Sequence, residues 1–303
     1  MTKKLTLYAF LLLFLVGLCL PTFAVRAESS KSFSVVVLPD TQGYSEGNPE
    51  IFLSQTHWIV ENRKRLDIKL VIHLGDLVEH PESQKEWRRA EKAMDVLDRN
   101  EVPTLVTFGN HDYTSLGDDR TSNPFNEYFP LSRYEGSSHF GGSFSEDSAG
   151  NVYMTLVVGG QKYLFLTVEY KPRDEVLAWA SGVLENHLKF RAILVTHSYM
   201  WPNGFLTSSG DRIWDELANK HSNVWMVLCG HVPGAGVEVD YGEPGNKVIQ
   251  ILSDYQYYSN GGNGYLRIMR FHPKEGEVQV RTYSPYLDSY KSEKWEEFEV
   301  SLE

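Results

Sequence analysis

Five short apolar runs in this chain each end in a polar turn. Phe33–Leu38 runs into Pro39-Asp40, residues 69–74 into Gly75-Asp76, and residues 103–108 into Gly109-Asn110-His111-Asp112. Arg191–Thr196 ends at His197, and Val224–Cys229 at Gly230-His231. Runs of about six residues, rich in Val, Ile and Leu and without polar alternation, are the pattern of strands buried on both faces of a sheet. In an open α/β sheet the crevice beyond the carboxyl ends of the strands is where ligand-binding groups converge, and glycine before a polar residue permits a sharp turn there. Any one of these residues alone reads as an ordinary turn residue or a satisfied core histidine. Recurrence after five strands in order points instead to a shared site. Carboxylate and amide oxygens with imidazole nitrogens suit divalent ions such as Mn, Fe or Zn, and the absence of thiolates argues for a catalytic rather than a structural centre.

The segments between these runs have the rhythm of βαβ units. Residues 51–66 and 85–97 have helical spacing, as do 174–187 and 211–220. Residues 111–142 form a long connection carrying Phe125, Tyr128, Phe129, Tyr134 and Phe140, and a connection of that length is usually functional or held together by its aromatic side chains. From residue 151 onward antiparallel strands enter. Residues 152–158 and 163–168 form a hairpin around Gly159-Gly160, and strands are expected at 237–241, 248–253, 265–271 and 277–283. The expected fold is α/β: two mixed β-sheets packed face to face and flanked by helices, in one domain over residues 32–300. The glycine-rich stretch at 253–264, and the aromatics Tyr199 and Trp201, are candidates for walls of a substrate pocket.

Ahead of that domain, Lys3 and Lys4 precede an apolar run at residues 5–20 and small residues up to Ala27. This reads as a signal peptide cleaved near Ala27, too short for the ~20 residues that span a bilayer. The expectation is an exported protein with no membrane anchor in its mature form. Cleavage would remove three basic residues and no acid, taking the formal net charge from -11 to −14, and would leave Cys229 as the only cysteine. An internal disulfide is then excluded. So strong an acidic balance makes nucleic acid an improbable partner. No pattern in the chain sets the oligomeric state.

The series Asp40, Gly75-Asp76-Leu77-Val78-Glu79, Gly109-Asn110-His111-Asp112, Thr196-His197 and Gly230-His231 resembles the calcineurin-like metallophosphoesterase superfamily, most closely its exported members beginning Asp-Thr-Gln. That resemblance implies an αββα sandwich with two metal ions at its edge, hydrolysing phosphate mono- or diesters through a metal-bound hydroxide. Asp76 would bridge both ions, Asn110, His197 and His231 would complete the second site, and Asp40 would hold the first. His111 would face the leaving group as acid or charge stabiliser, with Asp112 orienting its ring.

Two departures fall on the first metal. The family has Asp-x-His where this chain has Asp40-Thr41-Gln42, and Gly-His-x-His where this chain has Gly230-His231-Val232-Pro233. Gln42 and Glu79 are candidate replacements. With Asp40 and Asp76 they would form an all-oxygen set favouring Mn, Mg or Ca. Occupancy of the second site alone, in an inactive metal-binding surface module, is one alternative, and an extracellular nuclease is another. His73 and Cys229 read as packed residues.

Overall fold

The computed structural model describes residues 32–114 and 124–301, so the proposed signal peptide lies outside the described residues. Fourteen strands form two seven-stranded sheets. The first is built on three parallel strands, β1 (Phe33–Leu38), β2 (Ile68–His73) and β3 (Thr104–Val106). The second contains β4 (Phe140–Ser145), β5 (Ser148–Val158), β6 (Gln161–Val168), β7 (Arg191–Thr196), β8 (Val224–Cys229), β9 (Gly234–Tyr241) and β10 (Lys247–Asp254), in the order β4-β5-β6-β7-β8-β10-β9. The chain then returns to the first sheet as β11 (Leu266–His272), β12 (Glu277–Ser284), β13 (Ser289–Tyr290) and β14 (Glu297–Ser301). There β11 lies antiparallel to β1, and β12 lies antiparallel to β11. In the second sheet β6, β7, β8 and β10 are parallel neighbours. Two mixed sheets with flanking helices is the fold class expected from the strand pattern.

Strand alternation assigns the layers. Tyr163 and Phe165 of β6 enter a core shared with Phe33, Phe271 and Ile249 from both sheets, whereas Leu164, Leu166 and Val168 face a separate cluster with the helices. Phe33, Tyr163 and Phe271 stack at the centre, with ring separations of 4.7–5.5 Å. Helices α1 (Gln42–Gly47), α2 (Pro49–Asn62) and α3 (Gln84–Asp98) belong to the first half of the chain. Ile51, Phe52 and Ile59 of α2, and Trp87, Ala90, Met94 and Leu97 of α3, join the same core. On the other side α6 (Asp174–Asn186) buries Val176, Leu177, Ala180 and Leu184 against the second sheet, after the short α4 (Phe125–Tyr128) and α5 (Ser132–Glu135).

Several local expectations change. The connection at 111–142 holds α4 and α5 and the first half of an edge strand, β4, because Phe125 and Phe129 pack beside Trp87 and Phe108; residues 115–123 of it lie outside the described residues. The helix expected at 211–220 starts earlier, as α7 (Ser208–Ile213), because Thr207 caps the Gly210 amide at 3.1 Å. It then widens into a π-helical turn at Trp214–Ala218. The Gly159-Gly160 turn is as expected, both residues having positive φ (58° and 81°), which the twist of a tight hairpin requires. Among the described residues no helix is long and apolar enough to cross a membrane.

Candidate metal centre

The carboxyl ends of β1, β2, β3, β7 and β8 meet at one edge of the sandwich. There Asp76, His197 and His231 each offer a ligand atom, and the three atoms lie within 4.8 Å of one another. His197 is the hub. Its Nδ1 donates to the Leu74 carbonyl at 2.9 Å, which turns Nε2 toward the cluster. Around Nε2 stand Asn110 Oδ1 at 2.9 Å, His231 Nδ1 at 3.1 Å and Asp76 Oδ2 at 3.2 Å. Ligand atoms packed this closely repel through their lone pairs unless a proton or a cation lies among them. The donor set therefore fits a divalent ion, and the carbonyl behind His197 is the outer support that metal-binding histidines ordinarily have.

Close packing of backbone makes this convergence possible. Asp76 and His231 themselves take left-handed conformations (φ 53° and 67°), a strain that persists at functional positions when surrounding structure over-determines it. The glycines turn out to serve space more than turning. A Cβ on Gly109 would stand 2.0 Å from Asp76 Oδ1, and one on Gly230 would stand 2.2 Å from Asp40 Oδ1, although neither glycine has positive φ. Only Gly75 combines a close approach with a φ of 97°.

Asp40 is fully enclosed beside this cluster. It accepts from the His231 amide at 3.1 Å and lies 4.0 Å from His197 Nδ1. Burial, followed by the Asp254 and Asp76 carboxylates, pushes it well above the usual carboxylate range. Burial acts on Asp76 in the same direction and is the largest single influence, yet the His197 ring, and after it His111, attract the carboxylate when protonated and together hold Asp76 low. Burial, then His197, draws His231 down to about 4. Burial alone is the main cause that takes His73 to about 3, and its ring bridges Thr41 Oγ1 at 3.0 Å and the Gly75 amide at 3.1 Å. His73 is thus a packed support for the loop that carries Asp76. Cys229 is buried, with its thiol pushed up to about 12 by that burial.

Gln42 and Glu79 do not join the tight cluster but face each other on the cleft wall, with Gln42 Nε2 donating to Glu79 Oε2 at 2.6 Å. Gln42 Oε1 is buried and accepts from no donor. An amide whose nitrogen is occupied while its oxygen lacks any donor is an oxygen ligand in waiting, which fits a first cation position near Asp40. The cleft itself has a volume of about 430 Å³ and is lined by Gln42, Glu46, Asp76, Glu79, Asn110, His111, His231, Gln256 and Tyr257, among others. So the 253–264 stretch does wall the site through Gln256, Tyr257 and Gly261.

The role expected for Asp112 is corrected. Its carboxylate does not touch the His111 ring: it accepts from the backbone amides of Gly109 at 2.8 Å and of Asp76 and Leu77 at 2.9 Å each. Three amides from two loops consume it, so it stitches the β2 and β3 ends together. His111 is instead oriented by Glu79, whose carbonyl accepts from Nδ1 at 2.7 Å and whose carboxylate lies 3.9 Å away. Glu86 was not singled out by any motif of chemistry. Its Oε2 accepts from the Glu79 and His80 amides at 2.9 Å each, fastening the turn that orients His111. The Ser83-x-x-Glu86 pattern of a helix start was the available signal, since such a glutamate normally reaches back to a free amide.

Comparison with known proteins agrees with this geometry. Residues 33–261 match the family described as calcineurin-like phosphoesterase. Over 285 residues, 89% of this chain, the sequence is 36% identical to the uncharacterized protein YvnB of Bacillus subtilis (strain 168); the chain spans only 22% of that relative's length. A dimetal phosphatase from Danio rerio superposes with a TM-score of 0.59 at 13% identity, covering 89% of this chain and 99% of that one. A purple acid phosphatase from yellow lupin seeds gives 0.58 at 12% identity, covering 90% of this chain and 54% of that one.

Proposed function

The chain belongs to the calcineurin-like phosphoesterase family, and we propose that it acts outside the cytoplasm, hydrolysing phosphate mono- or diesters with two divalent ions per chain. It is a metal-dependent hydrolase of phosphoester bonds. The observation that carries the rest is the convergence of Asp76, Asn110 and His231 on Nε2 of His197. Those four residues would hold one ion, and Asp40 with Gln42, and with Asp76 shared, would hold the other. Bound divalent ions supply an acidified water and neutralise phosphoryl oxygens.

The remaining work falls to side chains of this protein. His111 projects into the cleft with Nδ1 committed to the Glu79 carbonyl, which leaves Nε2 to pass a proton to the departing oxygen or to hydrogen-bond a phosphoryl oxygen. Its own amide donates to Asp76 Oδ1 at 2.8 Å, coupling the position of the proton donor to that of the shared carboxylate. Glu46 and Glu79 face the cleft, and no Lys or Arg lines it among the described residues. That charge supports a small ester over a polyanionic nucleic acid.

Elemental analysis of the purified protein, alongside hydrolysis of a generic aryl phosphate monoester and diester in added Mn, Fe or Zn, tests the reading. Turnover that requires metal and falls sharply in His111→Ala is expected. No turnover with any ion, and no effect of His111→Ala, would leave a metal-binding module. For export, support lies in Lys3, Lys4, the apolar run at 5–20 and Ala27. Terminal sequencing of protein recovered outside the cell should begin near residue 28, and a chain retained in the cell with residue 1 intact would refute it.

A further inference from the structure

A sixth strand end reaches the same edge. In the parallel pairing of β10 with β8, Leu252 lies opposite Cys229, so Asp254 stands level with His231 two residues further on. Across the sheet Asp254 pairs with Gly234 of β9. It is 1% exposed. Among the described residues its carboxylate accepts from the Gln256 amide at 2.9 Å and from Gln256 Nε2 at 3.0 Å, and Gln256 lines the cleft with Asp76 and Gln42. Among the described residues no Lys or Arg pairs with Asp40, Asp76 or Asp254. Three buried carboxylates at one edge, accompanied by the His197 ring but by no Lys or Arg among the described residues, make an oxygen-rich donor set that fits a cation.

Building on the metal-centre reading above, we propose that Asp254 is a ligand of the first cation, standing in for the imidazoles absent at Gln42 and Pro233. Independent support comes from Gln42, which is 6% exposed, lines the cleft, and has a buried carbonyl oxygen with no donor. Asp40, Asp76 and Asp254 with the Gln42 carbonyl then form an all-oxygen position beside the nitrogen-rich one at His197 and His231. Oxygen donors select Mn or Mg over Zn. The first site is therefore a hard-ion site and the second a borderline one.

The competing role is mechanical: Asp254 anchoring the 255–258 turn through Gln256. Mn titration by calorimetry, with elemental analysis after desalting, separates the two in the full chain. Wild type should hold two Mn per chain, Asp254→Asn one tightly, with the other weakened at least tenfold. Gln256→Ala removes the anchor but keeps the carboxylate, and should still hold two. One ion in the wild type, two undiminished ions in Asp254→Asn, or loss of an ion in Gln256→Ala would each overturn the assignment. Melting with and without chelator adds a readout by sign. Asp254→Asn should melt at or above wild type when metal-free, because a repelling buried carboxylate is gone, yet gain less from Mn. An equal loss in both states would mean an anchor only. None of these readouts involves hydrolysis, so an inactive protein with this metal pattern would sink the enzymatic reading and leave the ligand assignment standing.

Discussion

Replacing Asp112 by asparagine separates stitching from histidine orientation. The carboxylate accepts three buried amides, Oδ2 those of Asp76 and Gly109 and Oδ1 that of Leu77. In the milder placement the new NH₂ group takes the Oδ1 position, losing the Leu77 bond and setting donor against donor. One charge-assisted hydrogen bond is then lost, at about 1.5–3 kcal/mol, and two fall from charged to neutral strength, at about 1 kcal/mol each. Against this, removing the charge relieves burial and the repulsion from Asp76, which together push Asp112 up to about 7. At about 1.4 kcal/mol per pH unit, the rise to about 7 makes that relief about 4 kcal/mol at pH 8. Losses of about 3.5–5 kcal/mol and this relief nearly cancel, so the melting temperature at pH 8 should stay within about 5 °C of wild type. The local effect does not cancel: the Leu77 amide, left facing a donor, should exchange with solvent about tenfold faster in Asp112→Asn. A Leu77 amide that exchanges at the wild-type rate, with a pH–rate profile altered as in His111→Ala, would show that Asp112 works through the His111 ring and would refute the stitching argument.

Gly109→Ala places a Cβ 2.0 Å from Asp76 Oδ1, so a displaced shared carboxylate should cost about 100-fold in kcat, and a steady-state assay showing unchanged kcat would contradict it. The Cys229 thiol, buried and raised to about 12, should resist an aromatic disulfide reagent in the native protein and react promptly in guanidinium; fast native labelling would show that β8 opens. His221 is buried against Ser181 at 3.0 Å, and burial lowers its pKa below the ordinary histidine value. The unfolded chain then binds the extra proton, so this contribution is complete above about pH 6.5 and lost as pH falls below it. His221→Gln should flatten that part of the melting-temperature profile between pH 7 and pH 5, and a profile parallel to wild type would exclude His221 as its source.

Much of the architecture was legible because the strands are buried on both faces. Phe33–Leu38, Arg191–Thr196 and Val224–Cys229 carry uninterrupted apolar runs, and their observed bounds coincide with those runs. Edge strands lacked such a signature. β4 reads Phe-Gly-Gly-Ser-Phe-Ser and β14 alternates with charge, so neither stands out from a loop. Within the site, Asp76, Asn110, His197 and His231 stood out because each lies within four residues of the end of a strand, at the same end of the sandwich.

Local sequence determined which residues arrive at that edge; tertiary packing decided what each does there. The tasks of Asp112 and His111 follow from which loop amides and carbonyls lie within hydrogen-bond reach, and those come from segments about 35 residues away in the chain. Gly109 and Gly230 are required by carboxylates approaching from other strands, a constraint that has no trace in the residues beside them. Asp254 ends a strand that lies between β8 and β9, and only its parallel pairing with β8 sets it level with His231. Strand formation is governed by short-range pattern and so can be read along the chain, whereas hydrogen-bond partnership and close approach depend on distances that folding alone creates.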